Sequence, residues 1–289
     1  MQIERDYRKL LENRQVEAVV IATPTSTHFP IARQALQSGR HVLCEKPLCE
    51  NVRQADELVR LSQRHRRTLM VGHTFLFNPG IVKVKELIDK KELGPLFYLS
   101  STRTNLGPIR TDVNVVYDLA SHDVAIFNWL LGSVPEGVSA CGAAFLQRGV
   151  EDVAFLTLRY PRHVLASVHV SWLNPKKVRQ IIVVGKRKMA TWDDLKLHLP
   201  VAVYDRGAKV TQEYGGYGEF LRVSMWEGDV RLPKIRLEEP LKIQDRVFLE
   251  AIGSGHLGRS DGKFSVGVTR VLEAMTRSLR SNGGAVPVR

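Results

Sequence analysis

The sequence predicts an α/β domain followed by an α+β domain with a large, mainly antiparallel sheet, and three observations carry that reading. Short apolar runs ending near Ala22, Cys44 and Gly72 alternate with helical patterns, which requires a parallel sheet with crossover helices. After Gly94 five strand-like runs follow in close succession with few helices between them. Nothing before Val16 resembles the Gly-x-Gly-x-x-Gly turn that usually follows the first strand of a dinucleotide fold. The first domain is therefore expected over residues 1–93 as a partial, N-terminally truncated unit, and the second over 94–289.

Each element has a local reason. Ile3, Tyr7, Leu10 and Leu11 stand at helical spacing, and Val16 to Thr23 reads as a buried strand that Pro24 ends. Ile31 to Ser38 reads as a helix closed by Gly39, and His41 to Cys44 as a second buried strand. Asn51 to His65 is a long amphipathic helix with Ala55, Leu58, Val59 and Leu61 on its apolar side, and Leu69 to Gly72 is a third strand. In the second domain the strand-like runs are Phe97–Arg103, Val138–Ala144, Val153–Tyr160, Val164–Trp172 and Gln180–Val184. One strong helix, Asp118 to Leu131, interrupts them and stops at Gly132. Asp193 to Glu239 gives no clear periodicity. Gly215-Gly216-Tyr217-Gly218 within it reads as a turn, because no strand leads in and no amphipathic helix leads out as a phosphate loop would need. Two helical patterns, Leu241–Ile252 and Phe264–Ser281, close the chain.

Composition narrows the class. With 289 residues, 44% hydrophobic and 25% charged, the chain can bury a sizeable core and is neither disordered nor fibrous. Its apolar stretches are far shorter than the ~20 residues of a membrane helix, and the first residues are too charged for a secretory leader, so a cytoplasmic location and no membrane partner are expected. Cys44, Cys49 and Cys141 lack metal-ligand spacing and read as reduced thiols; no metal is expected. The net charge of +12 is dispersed in short runs such as Arg64-His65-Arg66-Arg67, which read as solvated faces rather than a nucleic-acid surface.

Two constellations can carry chemistry. Glu45-Lys46-Pro47 lies just past a buried strand, at the edge where open α/β sheets bind ligands. An ammonium there can hold a substrate hydroxyl or stabilise a developing alkoxide, although a surface lysine at a strand end reads the same locally. In Asp118-Leu-Ala-Ser-His122, residues four apart on a helix share a face, so a carboxylate and an imidazole can address one point. The imidazole can take a hydroxyl proton and the carboxylate can orient the substrate or the ring; the plainer reading is an N-cap Asp118 followed by an ordinary first turn.

The ordered set Ala22-Thr23-Pro24 with His28, Glu45-Lys46-Pro47, Gly72-His73 with Asn78-Pro79, and Asp118 with His122 resembles the glucose-fructose oxidoreductase/inositol dehydrogenase (Gfo/Idh/MocA) family from about Tyr7 to Thr191 and again from Glu239 to Leu279. Asn105 to Arg110, Trp129 to Gly132 and Val170 to Lys176 look like its nucleotide-sugar branch. The resemblance implies a Rossmann domain and NAD- or NADP-dependent oxidation of a sugar secondary hydroxyl. Lys46 and His122 match the catalytic positions and Asp118 the supporting carboxylate. Thr23, Pro24, His28, Glu45 and Lys46 match the nicotinamide side of the cofactor site, and Asn105, Arg110 and Lys176 are candidates for substrate contact. A homodimer or homotetramer built on the second sheet is the expected assembly. The alternative is a redox-inactive pseudoenzyme, a sugar-binding or assembly module that has lost the glycine-rich cofactor site. Leu76 stands where related sequences often carry a basic residue, and Ala120-Ser121 replaces a common Gly-Pro.

Overall fold

A computed structural model describes residues 3–215 and 218–289. A short helix α1 (Tyr7–Glu12) leads into three parallel strands, β1 (Ala18–Ile21), β2 (His41–Glu45) and β3 (Leu69–Gly72), in the order β1-β2-β3. The register places Ile21 beside Cys44 and Glu45 beside Gly72, so the carboxyl ends of all three strands meet at one edge. The crossovers are α2 (Thr25–Gln37) and α3 (Val52–Arg64). Asn51 caps α3 by accepting the Gln54 N–H, the role its short amide side chain suits. β2 and β3 are buried on both faces, as the unbroken apolar runs require: Val42, Cys44, Leu69 and Val71 pack under α2 and α3, and Leu43 and Met70 join the core of the second domain. β1 is an edge strand, and its Val20 is 65% exposed.

α2 begins six residues before the helix read from sequence. Pro30 lies inside it, and buried Ala32, Ala35 and Leu36 hold the helix against the sheet. α4 (Pro79–Asp89), which the sequence reading left out, starts where Asn78 accepts the Gly80 N–H and Pro79 occupies the first turn.

The second sheet has nine strands in the order β11-β10-β9-β8-β4-β7-β6-β5-β12. These are β4 (Leu96–Leu106), β5 (Gly137–Ala143), β6 (Val153–Tyr160), β7 (Val164–Ser171), β8 (Leu173–Gly185), β9 (Met189–Asp193), β10 (Val201–Gly215), β11 (Gly218–Arg231) and β12 (Val286–Pro287). Only β4 and β7 pair in parallel; the other pairs among the described residues are antiparallel. The aperiodic segment after Asp193 proves to contain the long β10–β11 hairpin; Gly216 and Tyr217 of the Gly-rich stretch lie outside the described residues.

Side chains alternate along β6, with Ala154, Leu156, Leu158 and Tyr160 turned inward beneath α5 (Ser121–Leu131) and α7 (Gly262–Arg280), and Phe155 left outside. α5 ends at Gly132, whose φ of 64° is the left-handed conformation glycine adopts without strain. α6 (Pro240–Ser254) packs on the turn after β3. α7 returns to the first domain: Asp261 caps it through the Phe264 N–H at 2.7 Å, and Glu273 accepts the Val52 N–H at 2.6 Å. The helix thus ties α3, which follows the strand edge bearing Lys46, to α5, which bears His122. No helix among the described residues is long and apolar enough to cross a membrane.

Candidate active site

The carboxyl ends of β1, β2 and β3 meet the segment leading into α5 through the Lys46–Asp118 pair. Past β1, Ala22, Thr23 and Pro24 are exposed as a ledge, with the Thr23 hydroxyl bonded to that of Thr27 at 2.7 Å. His28 is 1% exposed, and its ring nitrogens lie 2.8 Å from the Thr23 carbonyl and 2.9 Å from the Pro47 carbonyl. Both nitrogens are therefore engaged by backbone, and the ring acts as a strut joining the loops after β1 and β2. Glu45 sits over Gly72, where a Cβ would meet its Oε1 at 2.9 Å, so the absent side chain makes room for the carboxylate.

Lys46 follows on a cis Lys46-Pro47 peptide. Its Nζ donates to the Asp118 carbonyl oxygen at 2.7 Å and to Asp118 Oδ1 at 3.2 Å. An ammonium has three N–H donors, so one is left without a partner among the described residues and is available to a substrate oxygen. Burial pulls the Lys46 pKa below its ordinary value, while the Asp118 charge and hydrogen bond work to keep the proton on.

The helix read as Asp118–Leu131 is two structures. Val116–Ala120 forms a π-turn and the α-helix proper begins at Ser121. Asp118 is consequently no N-cap. Of its carboxylate oxygens, Oδ1 receives Lys46 and Arg110 Nη1 at 3.4 Å, and Oδ2 receives Trp172 Nε1 at 3.0 Å. His122 lies one turn on, partly exposed, with its ring edge to face on Phe75 at a centroid distance of 4.9 Å. Burial first, then the positive charges of Lys46 and Arg103, hold its pKa well below 6.5, so the ring is an unprotonated imidazole at neutral pH. His73 is 2% exposed behind it, with both ring nitrogens unpartnered, and burial pushes its pKa down to about 3.

The substrate candidates divide. Arg110 reaches the site through Asp118, and Asp112 anchors its other face at 2.6 and 2.9 Å. Asn105 spends its amide on the Gly107 carbonyl and shapes the loop after β4. Lys176 stands exposed on β8, and no side-chain contact among the described residues joins it to the Lys46–Asp118 cluster.

The sequence reading missed Phe75, Arg103, Asp123 and Trp172. Arg103 offered one signal: an arginine in register with inward Leu99 and Ser101 on a strand needs a buried anion, and Asp123 supplies it at 2.9 Å. Leu76 is 0% exposed and packs in the core.

This arrangement can bind a hydroxyl between an ammonium and a neutral imidazole at the carboxyl ends of parallel strands. Comparison with known proteins bears on the family. Residues 2–73 match the profile described as oxidoreductase family, NAD-binding Rossmann fold, and residues 81–191 match the GFO/IDH/MocA C-terminal domain. The chain is 32% identical over 196 residues to the UDP-N-acetylglucosamine 3-dehydrogenase of Acidithiobacillus ferrooxidans, covering 67% of this chain and 60% of that protein. It is 29% identical over 176 residues to the uncharacterized oxidoreductase YrbE of Bacillus subtilis, covering 57% of this chain and 52% of that protein. The match thus spans a little over half the length of these curated relatives. Among solved structures, GenD2 from gentamicin A biosynthesis in complex with NAD superposes with a TM-score of 0.81 at 25% identity, covering 100% of this chain and 83% of that one. With both of its characteristic domains matched across well over half of its residues, the chain belongs to the Gfo/Idh/MocA oxidoreductase family.

Proposed function

We propose that this chain serves the NAD(P)-dependent oxidation of a secondary hydroxyl of a sugar, and that the sugar is carried on a nucleotide. The observation that carries the reading is the Lys46–Asp118 ion pair set beside a neutral, partly exposed His122 at the carboxyl ends of three parallel strands. The residues present fit the nicotinamide side of a dinucleotide: the Thr23–Pro24 ledge is open, and the Gly72 position admits only the Glu45 carboxylate. Thr23, Pro24, Glu45 and Lys46 would line that side. When bound, the nicotinamide supplies the hydride acceptor.

The remaining chemistry belongs to side chains. The substrate hydroxyl oxygen takes the free Lys46 N–H, whose charge stabilises the negative charge that develops on oxygen. His122 accepts the hydroxyl proton on a ring nitrogen, for which an unprotonated imidazole is required. Asp118 holds Lys46 charged and in place, and Arg110 and Trp172 fix Asp118. The nucleotide-sugar assignment draws on the named activity of the Acidithiobacillus ferrooxidans relative and on Arg110 beside the site.

The test is a titration of NADH and NADPH into the chain, followed by protein-to-nicotinamide fluorescence transfer, with NAD+ or NADP+ reduction measured on UDP-hexoses and free hexoses. Saturable binding and reduction with a UDP-hexose, lowered at least ~100-fold by His122→Ala, is the expected result. Sugar binding by a folded chain with no reduction under any pairing would instead favour a redox-inactive sugar-binding module.

The outer face of the second sheet supports a homodimer or homotetramer. Tyr98, Phe155 and Leu165 are 46%, 58% and 49% exposed there, and Phe155 stacks on His169 at 4.4 Å. Sedimentation velocity should show an assembly in the unmodified chain that Leu165→Glu dissociates; a monomeric unmodified chain would refute it.

A further inference from the structure

No hydrogen bond orients His122 through its inner nitrogen. Nδ1 is buried without a partner among the described residues, so no carboxylate or carbonyl among them fixes the ring there as it would in a hydrogen-bonded catalytic pair. The ring that does touch it is Phe75, with planes at 75°. Phe75 is clamped in turn. The Arg103 guanidinium carbon lies 4.4 Å from its centroid, the Arg179 guanidinium carbon 5.7 Å, and the Trp192 ring 5.9 Å. Both guanidiniums are anchored: Arg103 by Nε and Nη2 to the two Asp123 oxygens at 2.9 and 3.1 Å, and Arg179 by Nη1 to Asp194 at 3.1 Å. Ser101 adds a third bond to Asp123 at 2.7 Å. Asp123 is the residue after His122, so the same ion pair pins the first turn of α5 to β4.

We propose that Phe75 and Arg103 are positioning residues for His122, a cation-backed aromatic wall that sets the plane of the imidazole and opposes a second positive charge on it. The inference rests on the reading of His122 as the proton acceptor. A guanidinium stacked on a ring is favourable in itself, and here the same Phe75 ring meets the imidazole at 75°. The fixed Arg103 cation raises the cost of protonating His122, which keeps the resting imidazole unprotonated. The charged and titratable groups facing His122 are Lys46 at the end of β2, His73 after β3, Arg103 on β4 and Arg179 on β8, with Asp118 and Asp123 on its own segment. All the facing cations act in the same direction, and Arg103 alone is coupled to the ring by stacking and to the helix turn by a buried ion pair.

The experiment combines two readouts. The first is a 15N-histidine NMR titration of the chain without cofactor or substrate, with the His122 signal assigned by His122→Gln. Arg103→Gln, which keeps a hydrogen bond to Asp123 and removes the cation, should move the His122 titration midpoint upward; Arg103→Lys should leave it in place. The second readout is kcat and KM. Phe75→Leu should lower kcat on the order of tenfold with KM within about twofold, because a displaced base costs rate rather than binding. Phe75→Tyr, which keeps the ring, should recover kcat; Phe75 lines a cavity of about 520 Å3 beside Thr74, Asn78 and Leu197. An unchanged His122 midpoint in folded Arg103→Gln, or undiminished kcat in Phe75→Leu, overturns the proposal. Should Arg103→Gln not fold, Phe75→Leu against Phe75→Tyr decides alone. Failure of the underlying functional reading looks different: His122→Ala would then turn over normally, whatever the NMR midpoint does.

Discussion

Lys46→Met is expected to lower turnover by about 100- to 1,000-fold while the chain stays folded, the scale seen when one electrostatic donor to a developing oxyanion is removed. Methionine matches the length and apolar stem of lysine, so the loss isolates the ammonium. The carboxylate it leaves behind is not orphaned, because Asp118 keeps Trp172 Nε1 at 3.0 Å and Arg110 Nη1 at 3.4 Å. The pH dependence has a definite sign. Burial lowers the Lys46 pKa, so the ammonium is lost, and rate falls, at a pH below that of a free lysine. Asp118 opposes that loss; Asp118→Asn should therefore move the basic limb of kcat/KM further down, in addition to lowering kcat. Turnover within tenfold of the unmodified chain in Lys46→Met would remove this lysine from the chemistry, and a basic limb that ignores Asp118→Asn would separate the pair.

These residues could be found from sequence because each sits at a place the chain marks locally. Glu45-Lys46-Pro47 follows a short apolar run buried on both faces, the pattern that strands of a parallel sheet give. Asp118 and His122 were legible as a spacing, but their geometry was not: in the π-turn Asp118 accepts from Trp172, 54 residues further on, and local periodicity carries no trace of that partner. Phe75 illustrates the same limit. In sequence it is one apolar residue in Thr74-Phe-Leu-Phe77, and only the fold separates it from buried Phe77 by packing it between Arg103, Arg179 and His122. The β10–β11 hairpin was illegible for another reason: outside a packed sheet its strands need not alternate, and Val223 and Met225 remain 62% and 83% exposed. Lys176 shows the converse error, a basic residue in a suggestive motif that the strand carries away from the cluster.

The largest stability effect belongs to Asp123. Asp123→Asn keeps the size of the side chain and one acceptor for Arg103, but it leaves a guanidinium 2% exposed with no counter-charge, since Asp123 is its ion-pair partner. Breaking one half of a buried pair costs about 3–5 kcal/mol, which for a chain of this length lowers Tm by about 10 °C. Removing both halves acts oppositely: Arg103→Met with Asp123→Leu discards two desolvated charges and should return most of the lost stability, because apolar packing can replace a buried pair at little net cost. Activity separates from stability at that point. The doubly substituted chain regains its Tm but has lost the cation behind Phe75, so its turnover should stay low and its acid limb should stand at higher pH than in the unmodified chain. A double variant that recovers both Tm and rate would mean the ion pair serves packing alone; one that melts as low as Asp123→Asn would mean that β4 and α5 are held together by the hydrogen bonds among Ser101, Arg103 and Asp123 rather than by the volume they fill.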